Sequence, residues 1–485
     1  MIPHKQLSLE DIFSDCQSIF ENDKPEFLSL LEQHINLPEL VPISFCHHFR
    51  AWTGRPREYP LLAFLWALII QKIFSIPTDA LLLIFLHYSK HLRDFCGFTK
   101  VPDASKITRF KQDFLPDLQS FFDRLVDVTE PICQAIDAVK ADMTIFDTSG
   151  IEAWVKENNP KYADRIIRQL KAYAKAMNFD KSYDPYKAAY GSMPSSAEVN
   201  HEIKQLYING HFCYVYKFGI VTNGFGVVRH IAFYNKDFLS AHPEIEVEKK
   251  SDSPDEDKSV HDARLLLPTL MDFFKMHPLI NPKTFLGDSA FDTVQLYKNL
   301  LTGDTFGENR HFQKAYIPLN HRAGLENPNY TINEDGIPCC PNDPSLPMKP
   351  ETTTSNLRCG LPTFKFVCPK MKWIKHKRRT SCENPCTPSP CGRMIHIYPE
   401  KDLRAFPGAI RGTQEWDSTY KIRCTAERAI NHFKDNLCVA GRRTQNEKTI
   451  HADLLLAGIT QLLTVVVADK INKRQFIRSL KPLVA

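Results

Sequence analysis

The amino-acid sequence predicts an α/β protein: a mixed sheet flanked by helices, preceded by an all-α segment and broken by a cysteine-rich insertion. Three observations lead there. Up to about residue 135, apolar residues recur at helical spacing. From KADMTIFDTSGIE onward, period-two segments alternate with helical ones, the pattern of strands and helices in one layer system. Between about residues 305 and 410 both patterns fade, and seven of the 14 cysteines gather between Cys339 and Cys391.

Taken in order, PLLAFLWALIIQKIFSI predicts a core helix, and Pro77-Thr78-Asp79 ends it and starts the next. Asp103 or Ser105 then caps a long amphipathic helix through DASKITRFKQDFLPDLQSFFDRLVDV. MTIFDTSGIE, HFCYVYKFGIV and GVVRHIAFY predict three strands, the last two joined by a hairpin turn at Thr222-Asn223-Gly224. DKSYDPYKAAYGSMPSSAE, polar and punctuated by Pro and Gly, predicts a loop or insertion, and EVEKKSDSPDEDK a solvated charge run. HDARLLLPTLMDFF predicts a helix, TFLG a strand, TVQLYKNLL a helix and KAYIPL a further strand. STYKIRCTAERAINHFKDNL and HADLLLAGITQLLTVVVADKI predict two more helices before a basic tail.

Hydrophobic residues make up 43% and charged residues 24% of the chain, ordinary values for a soluble globular protein rather than a disordered one. A net charge of +5 confines any basic surface to local patches. MIPHKQLSLEDIF has no apolar core of signal-peptide length, so no secretion signal is read and the cysteines are expected as reduced thiols. Leu61 to His87, the most apolar stretch, is interrupted by Lys72, Pro77 and Asp79, so no membrane span is expected and the location is expected to be cytoplasmic.

Three acids stand out. Asp147 and Asp288 each follow an apolar strand, and side chains at strand ends of α/β sheets converge without disrupting the ladder. Taken singly, Asp147 opens a turn and Asp288 caps a helix just as well. Glu427 adds more. On a helix of about 100° per residue, Tyr420, Arg423, Glu427 and Lys434 share one arc beside an apolar face. The plain alternative is a surface i,i+4 pair between Arg423 and Glu427. A carboxylate set is what divalent metals of the Mg²⁺ kind need, and the basic residues beside it suit phosphate. Tyr420 can stack on a base.

These residues resemble a known family. Tyr420-x2-Arg423-x3-Glu427-x6-Lys434 is similar to the YREK signature of insertion-sequence DDE transposases. Gly287-Asp288-Ser289-Ala290-Phe291-Asp292 resembles the motif around that family's second acid, and TIFDTSGIE the surroundings of its first. Val260-His261-Asp262 resembles an N-x-H-D motif in which Lys258 or Ser259 replaces Asn. Gly54-Arg55-Pro56 and Val101-Pro102-Asp103-Ala104-Ser105 resemble the helical leader.

The resemblance implies a ribonuclease-H-like catalytic core over residues 136–304 and 411–470, an end-recognition or assembly segment over 1–135, and a basic tail over 471–485. It implies two Mg²⁺ (or Mn²⁺) ions on Asp147, Asp288 and Glu427, and DNA contacts from Tyr420, Arg423 and Lys434. Double-stranded DNA, as terminal inverted repeats and target, is the implied partner, with the chain acting as a nucleoid-associated homodimer. Two rivals stay open: a ribonuclease-H-like nuclease without strand transfer, and a domesticated, non-catalytic DNA-binding protein.

The insertion over 305–410 carries Cys339, Cys340, Cys359, Cys368, Cys382, Cys386 and Cys391 at irregular spacing, so either structural Zn²⁺ or reduced thiols is expected. KWIKHKRR mixes an aromatic with basic residues, as a DNA-backbone contact or a solvated loop does.

Overall fold

The computed structural model describes residues 26–50, 56–180, 182–208, 211–247, 249, 251–252, 258–307, 310–320, 330–358, 361–398 and 402–483. Gly54, Arg55 and Cys359, singled out above, lie outside them.

The first part of the chain is helical: α1 (Glu26–His34), α2 (Leu37–Leu40), α3 (Ile43–Phe49), α4 (Leu61–Ile73), α5 (Asp79–Tyr88), α6 (Lys90–Cys96), α7 (Ala104–Asp113), α8 (Leu115–Ile136) and α9 (Ala138–Ala141). Thr78 caps α5 through Leu81 N–H, and Asp103, not Ser105, caps α7 through Lys106 N–H. The long helix expected from Ala104 onward is two helices. The chain breaks at Phe114, and Pro116 occupies the first turn of α8, where its missing N–H costs nothing.

The sheet is mixed, and the protein is α/β. Its strands are β1 (Met143–Glu152), β2 (Ser196–Ala197), β3 (Asn200–Ile208), β4 (His211–Thr222), β5 (Val228–Phe233), β6 (Thr284–Leu286) and β7 (Lys314–Tyr316). The order is β2-β3-β4-β1-β6-β7, with β5 also on β4. β4 is antiparallel to β1 and offers its other edge first to β3, then to β5. β6 runs parallel to β1, and β7 parallel to β6.

α10 (Pro160–Ala176) precedes the segment DKSYDPYKAAYGSMPSSAE, expected as a loop or insertion, and that segment itself holds α11 (Pro185–Ser192) and β2, which pairs with β3. Asn159 and Asp184 cap the two helices, each with Pro in the first turn, so the Pro that read as punctuation is a helix start. α12 (Lys236–Ala241), α13 (Asp262–Met276) and α14 (Val294–Leu301) follow.

The insertion is built from short strands: β8 (Cys339–Cys340), β9 (Asp343–Pro347), β10 (Lys349–Arg358), β11 (Leu361–Val367), β12 (Met371–Ile374), β13 (Lys377–Thr380) and β14 (Met394–Ile397). Its apolar cluster is small and includes Ile337, Met348, Phe364, Phe366 and Phe406. After it come α15 (Gln414–Tyr420), α16 (Cys424–Asn431) and α17 (Glu447–Lys470).

α17 is long and apolar enough to cross a membrane by length and composition, yet 94% of its apolar window is enclosed by the protein. It packs on α8, α4, α7 and β5, and one apolar cluster runs through these helices and the sheet.

Candidate active site

Strand register brings the two aspartates together. β1 and β6 pair Met143 with Thr284 and Ile145 with Leu286. Two residues beyond the last pair stand Asp147, still within β1, and Asp288, just past the end of β6, near enough for Asp288 to act on the Asp147 charge. Asp147 is not at a strand end, as the sequence led one to expect. β1 continues to Glu152 on its partner β4, so Asp147 stands mid-strand where β6 has already stopped. Asp288 does cap the following 3₁₀ turn, its carboxylate taking Ser289 N–H at 2.6 Å.

A helical segment covers this face. Met143, Ile145, Leu286 and Tyr316 form one apolar cluster with Trp416 and Ala426, with Tyr420 and Ile422 packed against it. Asp147 is the next residue along that row of β1, so the apolar contact ends where the carboxylates begin. Gly226, in the turn between β4 and β5, has φ +78°, and a Cβ there would stand 2.8 Å from the Thr425 carbonyl oxygen. This glycine lets the turn touch the start of α16.

The covering segment is not the single regular helix expected. A 3₁₀ turn (Lys421–Arg423) joins α15 to α16, and a π turn (His432–Asn436) follows α16. Lys434 lies in the π turn, which re-aims side chains within helices. Its ammonium donates to Ser149 Oγ at 2.7 Å. Ser149 shares the face of Asp147 on β1, a consequence of strand alternation that the sequence reading did not use.

The electrostatics link all six residues. Burial pushes the Asp147 carboxyl up to about 6; Arg423 and the Thr148 N–H oppose this, while Glu427 and Asp288 add to it. Burial works against the Arg423 charge, but Tyr420, Glu427, Asp288 and Asp147 outweigh it and raise its pKa further. Burial raises the Tyr420 phenol against the pull of Arg423, and lowers Lys434, with Asp147 among the groups drawing it back. The Arg423 guanidinium lies 5.9 Å from the Tyr420 ring centroid and 2.5 Å from Glu427 Oε1. The plain i,i+4 pair is therefore present, with Arg423 serving the aspartates as well.

Asp292, also in the second-acid motif, is buried and bonded to Arg404 at 2.7 Å and to the Tyr297 hydroxyl. It supports the structure rather than the site. His261 caps α13, and Asp262 pairs with Lys217 at 2.6 Å.

Three carboxylates with no required nitrogen or sulfur form a hard-oxygen donor set. Burial, with a smaller push from Glu427 and Asp288, disfavours the Asp147 charge, the condition a bound cation relieves. Among the described residues, no group of three or more His, Cys, Asp or Glu side chains is drawn together closely enough to hold a metal ion, and Glu427 faces Arg423.

A mixed-sheet α/β fold with acidic and basic side chains near one another fits many classes of protein. Comparison with known families points to which: a family model described as a transposase domain (DUF772) matches residues 15–113. The match covers the N-terminal helices through α7 and ends before the acids. It points to a transposase, and so to an enzyme in general terms. No curated protein matches the chain.

Proposed function

We propose that the chain is a DDE transposase of the YREK type, with a ribonuclease-H-like core, that cleaves transposon ends and transfers them into target DNA. The observation that carries this reading is the β1–β6 register, which sets Asp147 beside Asp288 beneath the segment bearing Tyr420, Arg423 and Glu427. The sheet, antiparallel through β5-β4-β1 and parallel through β1-β6-β7, supports the proposed core.

Asp147, Asp288 and Glu427 would hold two Mg²⁺ or Mn²⁺ ions, which supply charge neutralisation and an activated oxygen nucleophile when bound. Glu427 would exchange its Arg423 partner to join the aspartates; its side chain is half-exposed on α16. Above about pH 6 Asp147 is ionised and ready for a cation. Arg423 grips phosphate oxygens bidentately, Lys434 adds a point charge, and Tyr420 offers a ring and a hydroxyl. Water attacks phosphorus at the element's end and the 3′-oxygen departs. The freed 3′-hydroxyl then attacks a target phosphodiester, forming one P–O bond as another breaks. Two copies act together, one per DNA end.

The test is an assay on DNA carrying the inverted repeats that flank the gene, with Mg²⁺ or Mn²⁺. Joined products are expected. Cleavage without joining would establish the nuclease reading, and binding alone the non-catalytic one. Asp147→Asn, Asp288→Asn and Glu427→Gln should each lower cleavage on the order of a thousand-fold or more, as loss of several kcal/mol of charge stabilisation requires, while DNA binding persists.

A further inference from the structure

We infer that the insertion holds one structural zinc ion on Cys340, Cys368, Cys382 and Cys386. All four line a single small cavity of about 10 Å³. That is room for roughly one water-sized particle, the scale of a single ion.

The cavity lining selects these four among the cysteines, although Cys382 Sγ donates to the Asn384 carbonyl at 3.2 Å, a bond that zinc binding would replace. Cys339 and Cys340 are successive residues of β8, so their side chains leave on opposite faces. Cys339 Sγ turns to the Ile337 carbonyl, leaving Cys340 for the cavity. Cys368 follows β11, fixed by its N–H to the Arg393 carbonyl, and its own carbonyl takes Met371 N–H to close a tight turn. Cys382 and Cys386 come from the loop after β13, and the Cys340 and Cys386 thiols interact with each other. Three separate chain segments thus contribute one, one and two sulfurs. Cys391 is not among the lining residues.

Charge and space agree. Four thiolates around Zn²⁺ carry a net charge of −2, and Lys370 and Arg393 line the same cavity. Gly392, at φ +77°, leaves space beside Cys368: a Cβ would lie 2.8 Å from Cys368 Cβ and 3.4 Å from its sulfur. Among the described residues no three of these thiols share one shell, so zinc binding would have to draw the sulfurs inward onto the cavity and release their protons. The reason for a metal is the small apolar cluster of this insertion, too little to order its loops alone. Cys368 stands just before β12 and Cys382 just after β13, so the ion would clamp both ends of that basic hairpin.

Metal analysis of the full-length protein, purified without chelator, should find one zinc per chain. Cys340→Ser and Cys386→Ser should lose it, whereas Cys339→Ser and Cys391→Ser should keep it. Because a ligand variant can fail to fold, the unmodified protein is also titrated with an organomercurial while a zinc dye reports release. Four thiols per zinc are expected, and Co²⁺-substituted protein should show thiolate charge-transfer bands. Gly392→Ala should speed zinc loss to a chelator. Folded protein without zinc that takes none up, a Cys340–Cys386 disulfide, or full zinc content in Cys386→Ser would each overturn the assignment. None of these readouts depends on catalysis.

Discussion

At the scale of single residues, Asp147 is costly to the fold. Its carboxyl is pushed to about 6 by burial and by Glu427 and Asp288. A carboxyl whose folded pKa exceeds its unfolded one stabilises the native state fully below the unfolded value, about 4. That contribution is lost as pH rises through 6. Asp147→Asn keeps an acceptor for Thr148 N–H and removes the charge. In EDTA at pH 8 it should stabilise the fold by on the order of 1–2 kcal/mol, with the difference vanishing near pH 4. Thermal melts across that range check this, and equal melting points at pH 8 would refute it. Gly226 has the opposite sensitivity. Gly226→Ala meets both a positive φ and the Thr425 carbonyl, so a loss of roughly 1–3 kcal/mol is expected in denaturant titration. Cleavage should fall with it, since the collision is with the first turn of α16, which carries Glu427.

At the scale of elements, the β12–β13 hairpin departs from the usual turn chemistry. Ile374 pairs with Lys377, leaving Lys375 and His376 as a two-residue loop with φ of 45° and 62°. Both positions want glycine or asparagine. His376→Gly should therefore stabilise the hairpin, read as slower amide exchange across Trp373 and Arg378. The hairpin also exposes Trp373 and Ile374 with Lys and Arg around them, and Arg378 lies 5.0 Å from the Trp373 ring. If the hairpin meets DNA phosphates, replacing Lys372, Lys375 and Arg379 by alanine should lower the slope of log affinity against log salt by up to about 2.7. An unchanged slope would mean a solvated hairpin. This element was illegible in the sequence because its strands are four residues long and their exposed faces carry no apolar alternation. The capped helices and β1, β4 and β5 were legible because burial writes a period into them. The azimuth of Lys434 was not, since the π turn abolishes the regular spacing from which it was read. The acids were visible as residues, but their meeting depends on β6 stopping where β1 continues, a register that no local pattern encodes.

At the scale of the molecule, the N-terminal helices are tied to the C-terminal helix by a buried charge network. Asp453 of α17 accepts from Lys72 of α4 at 3.0 Å, Lys111 of α7 at 3.1 Å and Arg442 at 3.2 Å. Asp79 of α5 bonds Lys111 and Arg442 from the other side. Three cations face two carboxylates, so the charges do not balance unless one cation gives up its proton. Burial pushes Lys72 down to about 7, against the pull of Asp453. Burial alone would raise Asp453, but Arg442, Lys111 and Lys72 hold it far below the usual carboxylate range. The two ends of the network should therefore respond unequally. Asp453→Asn leaves Lys72, Lys111 and Arg442 facing one another with a single carboxylate between them, and should cost about 3–5 kcal/mol. Lys72→Met leaves two cations with two carboxylates and fills the same apolar path. Its advantage over wild type should grow as pH falls from about 10.5 to about 7, because in that range the unfolded Lys72 is charged while the buried one has shed its proton, and should level off below 7. Denaturant titration of both variants at pH 7 and 9 measures this. Equal losses for the two would show that the network works by pairwise contacts and not by charge balance, and that Lys72 stays charged throughout.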